Sequence, residues 1–116
     1  MQIPQQAVLL RIFIGENDKV GSSPLYEAIV LKARELHLAG ATVLRGGMGY
    51  GHSSHLHSAK ILRLSDDLPL VIEIVDSPER IGAFLPVLDA MMNGESSGLV
   101  TLENVQVLQY GREQVK

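Results

Sequence analysis

Apolar and polar positions along this chain fall into two successive phrases, each a strand-like run followed by a proline-led helical pattern. The first run, 8–14 (VLLRIFI), is dense in strand formers and stops at Gly15, which predicts a strand buried on at least one face. A polar turn with Asp18, Gly21 and Ser22 leads into 23–27 (SPLYE), the pattern of an N-cap, a proline at the first helical position and a first turn. The helix it opens is expected to run to about residue 37. Leu25, Ala28, Ile29, Ala33 and Leu36 fall near a 3.6-residue period, with Glu27, Lys32, Arg34 and Glu35 opposite them, and Gly40 closes the connection.

A second strand begins at 41–44 (ATVL). A glycine- and histidine-rich segment follows over 46–57 before 59–64 (AKILRL) resumes alternation, the pattern of a hairpin with a long tip. After a turn at 65–69, the run 70–76 (LVIEIVD) is the most strand-like in the chain and is expected near the middle of a sheet. Residues 77–80 (SPER) repeat the cap-and-proline signature. They start a helix that carries Ile81, Phe84, Leu85 and Leu88 to the core through Met92, with Pro86 implying a short first segment or a kink. A polar loop at 93–98 precedes a last strand over 99–108, and the tail from Gly111 is expected to be mobile. Strand, helix, strand, strand, helix, strand is the α+β, ferredoxin-like βαββαβ order: a four-stranded antiparallel sheet with two helices on one face. The opposite face must be covered, which points to association of subunits.

At 116 residues the chain reads as one domain, with an ordered core over 7–110 and a mobile loop over 46–58. With no cysteine there is no disulfide, thiol nucleophile or zinc-thiolate site, which favours a cytoplasmic protein. No apolar run approaches the roughly 20 residues of a membrane span, and the first residues lack the basic start and apolar middle of a signal peptide. A net charge of −3, with both signs interspersed, argues against nucleic acid as a partner, and an aromatic content of 4% argues against a base-stacking platform.

Candidate chemistry concentrates at 45–51 (RGGMGYG), four glycines in seven residues at a strand end beside an arginine. Such glycines either free the backbone to take positive φ and turn N–H groups toward an anion, with Arg45 supplying a bidentate contact, or let a strand bend into a long hairpin. The spacing matches neither a P-loop nor a dinucleotide fingerprint. Glu73, flanked by Ile72 and Ile74, needs a partner or a cleft; Arg45, Lys60 and Arg63 are candidate partners, and Arg11 and Glu16 carry a similar ambiguity. His52, His55 and His57 are close enough to chelate a metal or to act as a protonation-sensitive patch, although no cysteine or acid lies in their segment. No serine–histidine–aspartate order and no paired-carboxylate context stands out, so the chain is not expected to be an enzyme.

Several blocks together resemble the PII-like proteins grouped as domain of unknown function 190, relatives of the PII nitrogen-signalling trimers. They are 10–16 (LRIFIGE), 24–30 (PLYEAIV), 39–46 (AGATVLRG), 49–51 (GYG), 68–76 (LPLVIEIVD) and 98–103 (GLVTLE), in the right order and at the right separations. The resemblance implies a homotrimer whose sheets line a central core, with an adenine nucleotide (ATP, ADP or AMP) held between subunits. It implies a nucleotide shared between the base of the 46–57 loop and the 93–98 loop, so the residues expected at it are Arg45, Gly46, Gly47, Gly49, Glu73, Asn93, Gly94 and Gly98. It also implies a signalling role through the mobile loop toward a partner, a membrane channel or transporter, with no metal required. The PII strings for phosphate and 2-oxoglutarate are absent, as is the context of PII's modified tyrosine. The alternative is a metal-responsive trimer resembling CutA, using His52, His55 and His57.

Overall fold

The structure, a computed structural model, describes residues 3–50, 57–58, 68–92, 98–111 and 113–114. Strand β1 (Gln6–Gly15) buries Leu10, Ile12 and Ile14 and leaves Leu9, Arg11 and Phe13 half-buried on its other side, the two-residue period of a strand with unlike faces. Asp18 then accepts the Gly15 N–H at 3.0 Å, and a small hairpin forms from β2 (Lys19–Val20) and β3 (Ser23–Pro24), with Gly21 at φ 61° in its turn. Helix α1 (Leu25–Glu35) starts one residue later than its sequence suggests: Pro24 occupies the cap position and no side chain caps the helix. The Leu25 N–H donates to the Asp18 carbonyl at 2.8 Å, so the preceding turn satisfies a donor that a serine would otherwise serve.

The end of α1 is a Schellman turn. Leu38 N–H donates to the Ala33 carbonyl and His37 N–H to that of Arg34, both at 3.0 Å, while Leu38 drops back into the core. His37 carries this turn at φ 61°, where an L side chain is strained. Leu36, expected in the core, is the cap residue and is exposed. Replacing His37 by glycine is expected to stabilise the fold by about 0.5–1 kcal/mol and to raise the melting temperature by several degrees. A lower melting temperature in calorimetry would show instead that the imidazole contributes contacts worth more than the strain.

Strand β4 (Thr42–Arg45) precedes a short pair formed by β5 (Met48–Gly49) and β6 (His57–Ser58). Strand β7 (Pro69–Asp76) buries Leu70, Ile72, Ile74 and Asp76 in strict alternation. Helix α2 (Pro78–Met92) opens as the sequence predicts: the Arg80 N–H donates to Ser77 Oγ, and the helix continues through Pro86. Strand β8 (Leu99–Gln106) completes the sheet, and β9 (Gln109–Tyr110) pairs with β10 (Glu113–Gln114), so the expected tail folds back as a hairpin. The strand expected at 59–64 and much of the loop expected at 46–58 lie outside the described residues.

The sheet order is β4-β7-β1-β8, antiparallel throughout. Leu10, Ile12, Ile14, Leu70, Ile72 and Ile74 pack against Leu25, Ile29 and Ala33 of α1 and Ile81, Phe84 and Leu88 of α2 in one core, which puts both helices on one face. The interior strand β7 was legible from its apolar run. Both edge strands are exposed among the described residues: all four residues of β4, and Leu99, Val100 and Leu102 of β8 on its two faces.

Candidate functional site

Register alone assembles the polar part of the helix-free face. Thr42 pairs with Glu73, Glu73 with Arg11 and Arg11 with Thr101, which makes one row across all four strands. One row away, Leu44, Val71, Phe13 and Leu99 form an apolar band. Arg11 is clamped between two carboxylates, its Nε donating to Glu73 at 2.9 Å and a terminal nitrogen to Glu103 at 3.0 Å. The hydrogen bond to Glu73 holds the guanidinium above its ordinary pKa, so this arginine is charged at any physiological pH. Glu73 therefore finds its partner in Arg11 and not in Arg45, while Lys60 and Arg63 lie outside the described residues. Arg11 with the two carboxylates that hold it, Glu73 in the row and Glu103 beside it, is acidic overall and offers acceptors to a ligand that carries N–H or O–H groups.

A groove of about 470 Å³ opens beside this row. Its apolar surface comes from Leu9, Val75 and Val107, its polar groups from Arg11, Glu73 and Thr42, and one wall from Gln109 and Tyr110. This is within the size range of small-molecule sites, with few polar groups set among apolar ones. The wall at 39–42 is fixed by Asp76, whose Oδ2 accepts the Ala39 N–H at 2.9 Å and whose Oδ1 accepts the Ser77 N–H at 2.7 Å. A buried aspartate thus ties the end of β7 to the entry of β4 and to the start of α2.

The glycine-rich corner lies at the other end of β4. Arg45 pairs with Leu70, three residues along β7 from Glu73 and on the helix side of the sheet, so the two are about 10 Å apart along the strand. Its guanidinium meets Glu16 Oε2 at 2.6 Å. The Gly46 N–H is not turned to solvent but donates to the Pro69 carbonyl at 2.7 Å. A Cβ on Gly46 would sit 2.9 Å from the Pro69 ring and one on Gly49 3.2 Å, whereas Gly47 has open space; none of the three takes positive φ. Close approach to Pro69, and not a left-handed turn, is what Gly46 and Gly49 provide. Gly98 precedes β8 at the same end of the sheet as Arg45 but on the opposite edge. Asn93, Gly94, His52 and His55 are outside the described residues, and of His57 the structure gives only its pairing with Gly49.

Of the expected site residues, then, Arg45, Gly46, Gly47 and Gly49 share one corner, while Glu73 belongs to the groove. Sequence reasoning did not assemble the groove. Its signal was the opposite charges of Arg11 and Glu73 in the middle of two apolar strand runs, which antiparallel pairing sets side by side. Among the described residues no cluster of three or more histidine, aspartate or glutamate side chains is arranged to hold a metal, and no helix is long and apolar enough to cross a membrane.

The family DUF190, described as Uncharacterized ACR, COG1993, matches residues 7–107. A UPF0166 protein of Aquifex aeolicus (strain VF5) is 39% identical over 100 residues, covering 86% of this chain and 91% of that relative. Among solved structures, CPII of Thiomonas intermedia K12, a nitrogen regulatory PII-like protein bound to ADP, AMP and bicarbonate, superposes with a TM-score of 0.60 at 21% identity over 88% of each chain. A putative PII-like signalling protein of Thermus thermophilus gives 0.64 at 18% identity, over 92% of this chain and 93% of its own. The strand order, the helices on one face and the family match agree, and the chain is a member of the DUF190 family with a PII-like fold.

Proposed function

We propose that the chain is the subunit of a cytoplasmic, PII-like trimeric regulator that binds an adenine nucleotide along β4 and reports it to a partner through the 46–57 loop. The observation that carries this reading is the continuity of groove and glycine corner along one exposed edge. β4 begins in the groove at Thr42 and ends at Arg45, so a ligand about 10 Å long lying on that edge meets both. Base and ribose suit the groove, which has apolar walls and a carboxylate acceptor at Glu73. Phosphates suit the Arg45 corner, where the Gly47 amide adds a donor, since Gly46's is already committed to Pro69. The likeness to a PII-like protein bound to ADP and AMP supports the ligand class.

The exposed edge strands support assembly. β4 and β8 are different surfaces, both exposed and apolar in part, and contact between them is heterologous, which closes into a ring when the rotation is right. A ring that joins β8 of one copy to β4 of the next brings Gly98, with the 93–98 loop, beside Arg45 and closes the nucleotide between subunits. Met48 and Tyr50 at the loop base are exposed and so accessible to the regulated partner, for which the proposal is a membrane channel or transporter.

Calorimetric titration with ATP, ADP and AMP, alongside light scattering, tests this directly. Binding by a species of three chains is expected; a monomer at micromolar concentration, or no heat with any of the three nucleotides at millimolar concentration, overturns it. Glu16 competes with phosphate for Arg45, so Glu16→Gln is expected to tighten nucleotide binding about 1.4- to fivefold, the equivalent of the roughly 0.2–1 kcal/mol of an exposed ion pair. Unchanged affinity in both Glu16→Gln and Arg45→Ala would remove Arg45 from the site.

A further inference from the structure

The segment 107–111 leaves β8 at one edge of the sheet and ends against the peptide that leads into β4 at the other edge. Among the described residues, two hydrogen bonds tie it to the rest of the chain. The Val107 N–H donates to the Gln5 carbonyl at 2.8 Å, and the Tyr110 hydroxyl donates to the Ala39 carbonyl at 2.7 Å. Between them Leu108 is 66% exposed and Tyr110 itself 36% exposed, so little apolar burial fixes the crossing. Gly111, at φ 63°, turns the chain back, and its carbonyl accepts from Gln109 Nε2 at 3.1 Å. Val107, Gln109 and Tyr110 line the groove.

These observations describe a strap with one latch. We propose that 107–111 is a movable wall of the groove, and that the Tyr110–Ala39 hydrogen bond sets how fast a ligand enters and leaves; as regulation of a nucleotide, this rests on the reading above. The bond is exposed to water, which competes for both groups, and so it is weak enough to open. The carbonyl it grips belongs to the residue whose N–H is fixed on Asp76, so the wall swings against a rigid post. Segments with few buried apolar contacts are the ones that open locally while the core stays folded.

The chain has no cysteine, so Val75→Cys, or Leu9→Cys if the first folds poorly, puts a single thiol on the groove floor. Its labelling rate by a bulky maleimide reads opening of the strap without any ligand. Tyr110→Phe keeps the ring and removes the latch, and is expected to speed labelling about fivefold, the equivalent of a net hydrogen bond of about 1 kcal/mol. Equal rates with and without the hydroxyl overturn the latch. Saturating ADP is expected to slow labelling in both backgrounds. ADP that binds by calorimetry yet leaves the thiol unprotected overturns the strap as a wall of the nucleotide site. ADP that does not bind at all overturns the nucleotide reading, and the labelling ratio alone then decides the latch.

Discussion

Asp76→Ala is expected to be the most damaging single substitution outside the apolar core, lowering stability by about 2–5 kcal/mol. The residue is 0% exposed, and its two carboxylate oxygens each accept a backbone N–H, from Ala39 and from Ser77. Truncation leaves both half-buried donors without their acceptor, and each such loss costs about 1–3 kcal/mol. Arg80 adds little, since its nitrogen stands 3.8 Å away on an exposed side chain. A loss of this size is a large share of the roughly 5–15 kcal/mol that holds a domain together. Urea unfolding at fixed chain concentration measures it, the fixed concentration mattering because association adds its own stability. A change below about 0.5 kcal/mol, the range of an ordinary surface position, would show that water replaces the carboxylate at both amides.

The same substitution carries a functional consequence that separates it from a simple core defect. Ala39 opens the wall of the groove and receives the Tyr110 hydroxyl on its carbonyl. Freeing its N–H from Asp76 loosens both, so ligand exchange is expected to quicken even under conditions where Asp76→Ala remains folded.

What the sequence disclosed follows from periodicity. The alternation in 8–14 and 70–76 and the cap-and-proline pairs at 23–24 and 77–78 marked the interior strands and the helices, and the order of the elements carried the topology. Side-chain identity disclosed less. Asp76 read as the end of a strand, because nothing in a linear string shows that its oxygens meet the amide of residue 39. Glu73 was recognised as needing a partner, yet Arg11 emerged only when β1 and β7 came into register. The end of α1 was expected near residue 37, but its Schellman turn was hidden for a different reason: glycine is the usual residue at that position, and histidine stands there instead. Tyr110 falls between the expected last strand and the expected tail and drew no reading, yet its hydroxyl reaches the Ala39 carbonyl across the sheet.

The glycine corner gives the sharpest separation of the two roles a glycine can have. Gly46→Ala puts a methyl 2.9 Å from the Cγ of Pro69 and 3.4 Å from its carbonyl oxygen, inside a strand pair where the Gly46 N–H already bonds that carbonyl. A proline ring has little room to yield, so β4 must shift against β7, and overpacking of this kind costs about 1–3 kcal/mol. Gly47→Ala meets nothing within 4 Å and its φ is not left-handed, so its stability is expected to stay within about 0.5 kcal/mol of the parent. Nucleotide affinity turns the comparison into a test of site as well as fold. With the Gly47 amide at the phosphates, a methyl there crowds the approach of the ligand and weakens binding while melting is unchanged. Gly46→Ala should lower the melting temperature first and affinity only through the displaced strand. If both substitutions leave stability and affinity alone, the corner is neither a packing contact nor a phosphate site, and its glycines serve only the bend into the loop.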